Sequence, residues 1–335
     1  MTSPPHPPPL DEFGLIARYL APLAVHPGAD GLRDDVAVLA LADLAGDLVV
    51  NTDAVVAGVH FLTHEQPAAI AERALRVNLS DLAAKGAKPL GYQLTLALNP
   101  AQDEAWIAEF AGGLRSNQDA FGWSLLGGDT VRTPGPLTIS VTAFGTLSGK
   151  GCLRRGGAQV DDDVWVSGWI GDGALGLALA QGIGPALDPV QAAAAESKFR
   201  LPLPRVTLGI ALAEAGIATA SADVSDGLIA DLGHIASASR LGMEIDAALV
   251  PLSDAGRAAV AQDGEWLDRL LSGGDDYEVV FTAPASARPD IVAIGLRTNT
   301  PVHRIGAMTA SADGVRVRYP DGSLRCLSRT GYRHF

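Results

Sequence analysis

The sequence has few cysteines, no long hydrophobic run, and too few basic residues to balance its acidic ones. Its two cysteines, Cys152 and Cys326, support neither a disulfide framework nor a thiolate metal site. No apolar run approaches the length needed to cross a bilayer. The proline-rich start, residues 1–9, lacks the basic and apolar regions of a signal peptide. We therefore expect a disordered leader over residues 1–10 and a cytoplasmic protein.

The shortage of positive charge narrows the possible partners. The chain has 25 basic and 38 acidic residues, which gives a net charge of −13. Because nucleic acids are bound by basic surfaces, this balance argues against a nucleic-acid partner. Free phosphates are also repelled, unless metal ions lie between them and the protein. Since Mg²⁺ is held by carboxylates together with substrate phosphates, the charge favours a nucleotide site bridged by metal ions.

Several familiar signatures are incomplete. Residues 171–176 match G-x-G-x-x-G after a predicted strand, but no second strand follows with the acidic residue that dinucleotide sites require. Residues 145–151 resemble a Walker A loop, yet the motif is one residue short and ends in glycine, where a hydroxyl should bind Mg²⁺. No histidines have zinc-protease spacing, and no G-x-S-x-G elbow is present. An NAD oxidoreductase, a P-loop enzyme and a zinc hydrolase are therefore disfavoured.

The length and the hydrophobic pattern predict two α/β (α+β) domains. A chain of 335 residues exceeds the size at which one core usually stops growing. Both halves mix helical and strand patterns, so we expect a mixed sheet packed with helices in each domain. The glycine-rich stretch 149–157 is the best linker, which predicts domains over residues 11–148 and 149–335. In the first domain we expect helices over 12–23, 67–86 and 101–121, and strands over 36–39, 48–52, 90–98, 123–126 and 137–147.

Acidic clusters recur where an apolar run meets glycine, serine or threonine. They are Asp34-Asp35, Asn51-Thr52-Asp53, Asn78-Leu79-Ser80-Asp81, Gly127-Gly128-Asp129-Thr130, Asp223-Val224-Ser225-Asp226-Gly227 and Gly273-Gly274-Asp275-Asp276-Tyr277-Glu278. Any single cluster is more often a helix cap or a solvated turn. Glycines, however, let a ligand approach the backbone, and helix N-termini direct N–H groups at phosphates. The recurrence at predicted element ends therefore suggests that the carboxylates converge on divalent cations that carry nucleotide phosphates.

In this order, the clusters resemble the thiamine-monophosphate kinase family of the aminoimidazole ribonucleotide synthetase-like superfamily. Gly58-x-His60-Phe61 and the ending Gly331-Tyr332-x-His334-Phe335 are similar to that family as well. The resemblance spans residues 12–335. It implies the two-domain fold of the superfamily, with metal binding, ATP binding and homodimerisation in the N-terminal domain. It also implies ATP- and Mg²⁺-dependent phosphorylation of thiamine monophosphate to thiamine diphosphate, by direct transfer of the γ-phosphoryl group.

The resemblance assigns roles by position, with several Mg²⁺ ions and no covalent catalytic residue. The implied Mg²⁺ ligands are Asp35, Asn51, Thr52, Asp53, Asp81, Asp129, Asp223 and Asp226. The implied ATP contacts are Gly128, Asp129, Arg155 and Ser225, and the implied substrate contacts are His60, Asp275 and Arg329. This division suits phosphoryl transfer, in which the protein mainly positions the reactants and stabilises charge.

Three positions depart from the family pattern. Asn51 stands where serine or threonine is usual, so a metal contact there would use the backbone carbonyl. Asp275 replaces a glutamate and shortens the reach to substrate by one methylene. Arg329 occupies a place where an aromatic residue often stacks on the substrate. These changes affect the substrate side more than the ATP side.

Related activities are weighed by the residues they need. Selenophosphate synthetase would require a reactive cysteine or selenocysteine near the N-terminus, and the hydrogenase-maturation dehydratase a cysteine at the C-terminus; both are absent. Aminoimidazole ribonucleotide synthetase remains an enzymatic alternative. A non-catalytic, metal-dependent nucleotide sensor is the alternative from another class.

Overall fold

The computed structural model describes residues 11–33, 36–40, 42, 44, 46–148, 151–311, 313–327 and 331–332. Within them the α-helices are α1 (Glu12–Leu15), α2 (Pro67–Lys85), α3 (Glu104–Phe121), α4 (Asp172–Ala180), α5 (Pro189–Arg200), α6 (Val206–Ala215), α7 (Leu228–Ser239), α8 (Asp254–Gln262), α9 (Glu265–Ser272) and α10 (Arg288–Arg297). The strands are β1 (Leu48–Val56), β2 (Lys88–Leu98), β3 (Ser124–Arg132), β4 (Thr138–Thr146), β5 (Asp163–Ser167), β6 (Ala220–Asp223), β7 (Gly242–Asp246), β8 (Val279–Ala283), β9 (Val302–Thr309), β10 (Val315–Arg318) and β11 (Leu324–Arg325). The predicted leader, Asp35 and Arg329 lie outside the described residues.

The contacts divide the chain into two compact units. Unit 1 comprises Met1–Leu44, Val50–Asn78 and Pro89–Gly145, and unit 2 comprises Ala45–Val49, Leu79–Lys88 and Thr146–Phe335. The first part of α2 therefore belongs to unit 1, and its last turns, from Leu79, belong to unit 2.

Unit 1 is built on a four-stranded sheet in the order β1-β4-β2-β3. The central strand β4 alternates between buried and half-buried residues, which is the period-2 pattern of a sheet covered on one face. Helix α3 begins at Asp103, whose side chain accepts the N–H of Trp106, and ends at Gly122 in the left-handed conformation. Its buried face includes Ile107, Phe110 and Leu114. The outer strands β1 and β3 are much more exposed than β4.

Unit 2 is built on a seven-stranded mixed sheet in the order β11-β10-β7-β9-β5-β8-β6. Strands β5, β6 and β8 are buried along their whole length, because helices and loops cover both faces. Helix α7 adds Leu228, Ile229 and Leu232 to the core. The end of α2 lies against α6, where a Cβ on Gly209 would be 1.8 Å from the carbonyl oxygen of Ala83. Only glycine allows this approach, which fixes the turns of α2 that carry Ser80 and Asp81.

The two mixed sheets packed by helices confirm the predicted fold class, but some elements differ from the prediction. Residues 36–39 form no strand, and the region 12–23 is a short α-helix followed by a π-turn and a 3₁₀-turn. Pro22, which lacks an N–H, lies in that last turn and cannot continue an α-helix. Elements α8 to α10 and β9 to β11 were not predicted. Among the described residues, no helix is both long enough and apolar enough to span a membrane.

Two site motifs were placed wrongly by the sequence analysis. Strand β1 continues to Val56 and β3 to Arg132, so Asp53 and Asp129 lie within strands and not at their ends. The reason is pairing: β3 runs parallel to β2 from Ser124 to Arg132, with a bulge after Leu125. Ladder hydrogen bonds hold these polar and glycine residues in extended conformation despite their low strand propensity.

Candidate metal- and nucleotide-binding residues

In unit 1, the buried Asn78 on α2 fixes the polar segment of β1. Its Oδ1 accepts the backbone N–H of Asp53 and the side-chain amide of Asn51, both at 3.1 Å. Its own amide donates to the carbonyl of Ala74 at 2.9 Å, one turn earlier on the helix. The contact to Asp53 uses its backbone N–H, and Asp53 itself is exposed. Asn78 is a positioning residue that the sequence analysis quoted in a motif without assigning it a role.

Thr52 is anchored to the neighbouring strand. Its hydroxyl donates to the carbonyl oxygen of Val141 on β4 at 3.0 Å. The hydroxyl of Thr142 donates to Oγ1 of Thr52 at 3.3 Å. Thr52 Oγ1 therefore has a defined position. Its hydrogen is donated to Val141, and one of its lone pairs accepts the hydroxyl of Thr142.

Gly128 and Asp129 lie on β3, at the opposite edge of the sheet from Asp53. Two strands separate β1 from β3, so the strands that carry Asp53 and Asp129 lie three strand spacings, or about 14 Å, apart. Within one sheet, unit 1 therefore does not bring these two carboxylates together. A Cβ on Gly128 would lie 1.9 Å from the carbonyl of Leu94 on β2. Gly128 is thus required by strand packing, in addition to any approach of a phosphate.

His60 lies in the turn after β1 and has a defined tautomer. Its Nδ1 accepts the backbone N–H of Val56 at 3.0 Å, so the neutral ring carries its proton on Nε2. The backbone carbonyl of His60 accepts a hydrogen bond from Arg73 at 2.8 Å, and Arg73 is itself buried. The turn therefore holds His60 as a donor through Nε2.

In unit 2, the end of α2 meets the end of β6. The hydroxyl of Ser80 donates to Oδ2 of the buried Asp223 at 2.9 Å. Burial raises the pKa of the Asp223 carboxyl, while Ser80 and the ammonium group of Lys85 act in the opposite direction. A buried carboxylate of this kind is stabilised in its charged form by a bound cation. Asp81 lies on the same helical turn as Ser80, on a half-buried position.

The turn that carries Ser225 and Asp226 is organised by Asp231, a residue that the sequence analysis missed. Oδ2 of Asp231 accepts the backbone N–H groups of Ser225, Asp226 and Gly227, at 3.0, 3.1 and 3.2 Å. The available signal was an acidic residue in the first turn of α7, where carboxylates stabilise N-terminal N–H groups. Burial, together with the charges of Asp223 and Asp226, raises the pKa of Asp231 to about 8.

Asp231 gives a pH-dependent contribution to stability in the metal-free protein. The pKa of Asp231 is higher in the folded than in the unfolded state, so the folded state binds more protons between about pH 4 and pH 8. The free energy of unfolding therefore falls as pH rises through this window, by up to about 1.4 kcal/mol per pH unit. We expect Asp231→Asn, which keeps an oxygen acceptor, to flatten this fall. Urea unfolding in EDTA at pH 5.5 and 7.5 measures the fall in stability for the wild type and the variant. An unchanged pH dependence in the variant would contradict the assignment.

The loop before β8 joins the Ser225 turn. Asp275 donates its backbone N–H to the carbonyl of Ser225 at 2.9 Å, and Tyr277 donates to that of Val224 at 2.8 Å. Asp275 and Tyr277 both have positive φ, of 73° and 52°. This strained, hydrogen-bonded loop places Asp275, an implied substrate contact, next to Ser225, an implied ATP contact.

The neighbouring Asp276 explains why residues 171–176 are not a dinucleotide site. Its carboxylate accepts the N–H groups of Gly171 and Gly173, at 2.7 and 2.9 Å, at the start of α4. A dinucleotide fingerprint would offer such N–H groups to a pyrophosphate. Here a side chain of the protein already occupies them, which supports the exclusion of a nicotinamide cofactor.

Arg155 lies in a segment that two other elements hold. The N–H of Ser221 on β6 donates to the carbonyl of Arg154 at 2.8 Å. The N–H of Leu153 donates to the carbonyl of Lys85, the last residue of α2, at 3.2 Å. The Arg155 side chain is exposed. Within unit 2, the segment that precedes Arg155 therefore adjoins the end of α2 and β6, and the loop of Asp275 adjoins the turn of Ser225.

The donor atoms of unit 2 suit a divalent cation. Oxygens of Asp226 and Asp231 and a ring nitrogen of His234 all lie within 4.8 Å of one another. Carboxylate oxygens are the ligands Mg²⁺ takes in proteins, usually beside substrate phosphates and water. The carboxylate-rich surroundings of Asp223 have the same chemistry. The carboxylates of Asp223 and Asp226 thus fit Mg²⁺, whose role would be to neutralise and align phosphate oxygens, whereas the ring nitrogen of His234 is not a ligand that Mg²⁺ favours.

Comparison with known proteins decides the family. The AIR synthase related protein N-terminal domain matches residues 33–147, and the corresponding C-terminal domain matches residues 159–318. The chain is 40% identical over 331 residues to thiamine-monophosphate kinase of Salmonella typhimurium, covering 97% of this chain and 98% of that protein. This chain belongs to the thiamine-monophosphate kinase family. Membership extends over nearly the whole length of the chain, as the sequence resemblance implied.

Solved structures of the family agree. The crystal structure of thiamine-monophosphate kinase from Stenotrophomonas maltophilia matches with a TM-score of 0.78 and 40% identity, over 87% of this chain and 90% of that one. A structure described as AaThiL complexed with AMPPCP and TMP matches with a TM-score of 0.75 and 27% identity, over 97% of both chains. The comparisons favour the kinase family over the aminoimidazole ribonucleotide synthetase alternative.

Proposed function

We propose that this chain transfers the γ-phosphoryl group of ATP to thiamine monophosphate and so forms thiamine diphosphate and ADP. The observation that carries the proposal is the near full-length identity of 40% to a thiamine-monophosphate kinase. It is supported by the match, over 97% of both chains, to a family structure with AMPPCP, an ATP analogue, and TMP.

The chemistry needs no covalent nucleophile. A terminal phosphate oxygen of thiamine monophosphate attacks the γ-phosphorus, the bond to the β,γ-bridging oxygen breaks, and ADP leaves. The attacking oxygen is already ionised near neutral pH, so a strong base is not required. Mg²⁺, when bound, offsets the repulsion between the two anionic substrates. The protein contributes positioning and charge, which is consistent with sites rich in fixed carboxylates and backbone donors.

In unit 1, we assign Mg²⁺ binding to the polar segment of β1 and to Asp129. Thr52 and Asp53 would contribute side-chain oxygens. Asn51 would contribute its backbone carbonyl, because its side-chain amide is used by Asn78. The backbone around Gly128 would meet ATP. His60 would donate from Nε2 to the substrate phosphate, in the tautomer that the Val56 contact selects.

In unit 2, we assign Mg²⁺ binding to Asp81, Asp223 and Asp226. Ser225 and Arg155 would bind ATP, with the exposed guanidinium covering phosphate oxygens. Asp275 would contact thiamine monophosphate from its fixed place beside Ser225. Asp35 and Arg329 complete the implied metal and substrate sets by position in the sequence. We also propose a cytoplasmic location, where ATP is available.

A homodimer through unit 1 is part of the proposal. Val38, Val50 and Val131 are 67%, 53% and 44% exposed, and the last two lie on the outer strands of the sheet. Exposed apolar side chains on outer strands are a common basis of association between copies. The same contact would allow Asp53 and Asp129, which are far apart in one sheet, to act beside residues of a second copy. A solution mass of a single chain would contradict this.

A coupled ADP-release assay tests the function. Purified protein is given ATP with thiamine, thiamine monophosphate or formylglycinamidine ribonucleotide, each with and without Mg²⁺. We expect ADP only when thiamine monophosphate and Mg²⁺ are both present. Turnover with the ribonucleotide would indicate aminoimidazole ribonucleotide synthetase activity. ATP binding without turnover on any substrate would indicate a nucleotide sensor.

A further inference from the structure

Lys85 is the last residue of α2 and connects three segments of unit 2. Its ammonium group donates to the carbonyl oxygen of Ser221 on β6 at 3.0 Å. Its own carbonyl accepts the N–H of Leu153 at 3.2 Å, in the segment that continues to Arg155. The side chain is only partly exposed, so its charge is held inside the protein and is not a solvated surface charge.

The groups around Lys85 are the implied Mg²⁺ ligands of unit 2. Asp81 lies four residues earlier on α2, so the two side chains project from the same helical face. Asp223 lies two residues after Ser221 on β6. Burial lowers the pKa of the Lys85 ammonium, whereas the charges of Asp223 and Asp81 raise it. Burial is the largest of these causes, so the pKa of Lys85 lies below the ordinary value of a lysine although the carboxylates act against it.

The positive charge of Lys85 affects both the buried carboxylate of Asp223 and the binding of a cation there. A buried carboxylate such as Asp223 is costly without a cation nearby. In the absence of metal, the Lys85 ammonium is held on β6 by a hydrogen bond and is attracted to Asp223. When a divalent cation approaches the same carboxylates, the fixed positive charge of Lys85 repels it.

We propose that Lys85 is a built-in counter-cation of the Asp81 and Asp223 carboxylates, which stabilises the metal-free site and weakens Mg²⁺ binding there. This inference rests on the proposed Mg²⁺ role of those carboxylates. Lys85 is a positioning residue under this proposal, since it acts through the carboxylates and not on the substrates. Weaker binding would let Mg²⁺ and nucleotide leave together after turnover.

Mg²⁺ titration of the nucleotide-free protein by calorimetry tests the inference. Lys85→Gln keeps a hydrogen-bond donor for Ser221 and removes the charge. We expect it to bind Mg²⁺ about tenfold more tightly, which corresponds to about 1.4 kcal/mol, and to melt at a lower temperature in EDTA. Lys85→Arg, which keeps the charge, should bind Mg²⁺ as the wild type does. Lys88→Gln is the matched control, because it removes one exposed charge three residues away.

The outcomes separate this inference from the proposed function. If wild-type protein binds no Mg²⁺ at millimolar concentration, with or without ATP, the metal site itself fails. If wild type binds Mg²⁺ and Lys85→Gln binds equally or more weakly, the counter-cation role is wrong. Should Lys85→Gln not fold, NMR of ¹⁵N-labelled lysines in the wild type gives the answer. The Lys85 ammonium signal should shift on adding MgCl₂ while that of Lys88 should not, and an unmoved Lys85 signal overturns the proposal.

Discussion

Asp53→Asn is expected to lower kcat/KM for thiamine monophosphate by about 10³-fold or more, a loss of about 4 kcal/mol in transition-state stabilisation. The substitution removes one negative charge from the segment assigned to Mg²⁺ and leaves the fold intact. The contact that fixes this residue to Asn78 uses the backbone N–H of Asp53, which asparagine retains. The side chain is exposed, so no core contact is lost. Steady-state ADP release at saturating Mg²⁺ measures the effect.

Asp119→Asn is the matched control for this experiment. Asp119 lies in unit 1, near the end of α3, and is also exposed, so the variant has the same net charge as Asp53→Asn. It should retain wild-type activity. Circular dichroism and melting temperatures should agree among the three proteins. Near-wild-type turnover by Asp53→Asn would remove Asp53 from the metal site.

Arg205→Met is expected to lower the free energy of unfolding by about 3–5 kcal/mol. Arg205 forms a two-point contact with Glu278, at 2.6 and 2.5 Å, and both side chains are buried. Ser167 donates to the same carboxylate at 2.5 Å. Methionine fills similar space but leaves Glu278 as an uncompensated buried charge. Because Glu278 ends the loop that carries Asp275, activity should fall as well. Urea denaturation measures the stability change.

Two further variants test the explanation. Arg205→Met combined with Glu278→Gln removes both charges and should recover part of the lost stability. Arg318→Met breaks an exposed pair with Glu244 and should cost less than about 1 kcal/mol. A loss from Arg205→Met as small as that of Arg318→Met would show that the buried pair does not stabilise unit 2.

Local patterns predicted much of the fold. Helices such as 67–86 and 101–121 were found because apolar residues recur at helical spacing between good start and stop residues. Strand lengths were harder to predict, since β1 and β3 extend through polar residues that only their sheet neighbours stabilise. The elements after β8 were missed because their local signals are weak and their pairing partners, such as β7 for β9, are distant in the chain.

The candidate site, like the fold, could be predicted from the sequence only in part. Composition and the acidic clusters indicated oxygen ligands for cations, and the family resemblance supplied their roles. Neither gave the contacts that hold those residues, namely Asn78 on β1, Asp231 on the Ser225 turn, and Lys85 at the end of β6. The contacts of Asn78 and Lys85 join residues that are distant in the sequence, whereas the contact of Asp231 is local and its signal was the acidic residue in the first turn of α7.

The sequence by itself determined the chemistry of this protein: acidic oxygen donors, glycine-bearing turns and the order of motifs that defines its family. Those features are properties of single residues and short segments, so they do not depend on how the chain folds. Tertiary structure decided which donors are usable, because burial, strand pairing and hydrogen bonds across long sequence separations set the position and charge of each side chain. It put Asp223 in a buried place beside Ser80 and Lys85, and it put Asp53 and Asp129 on opposite edges of one sheet.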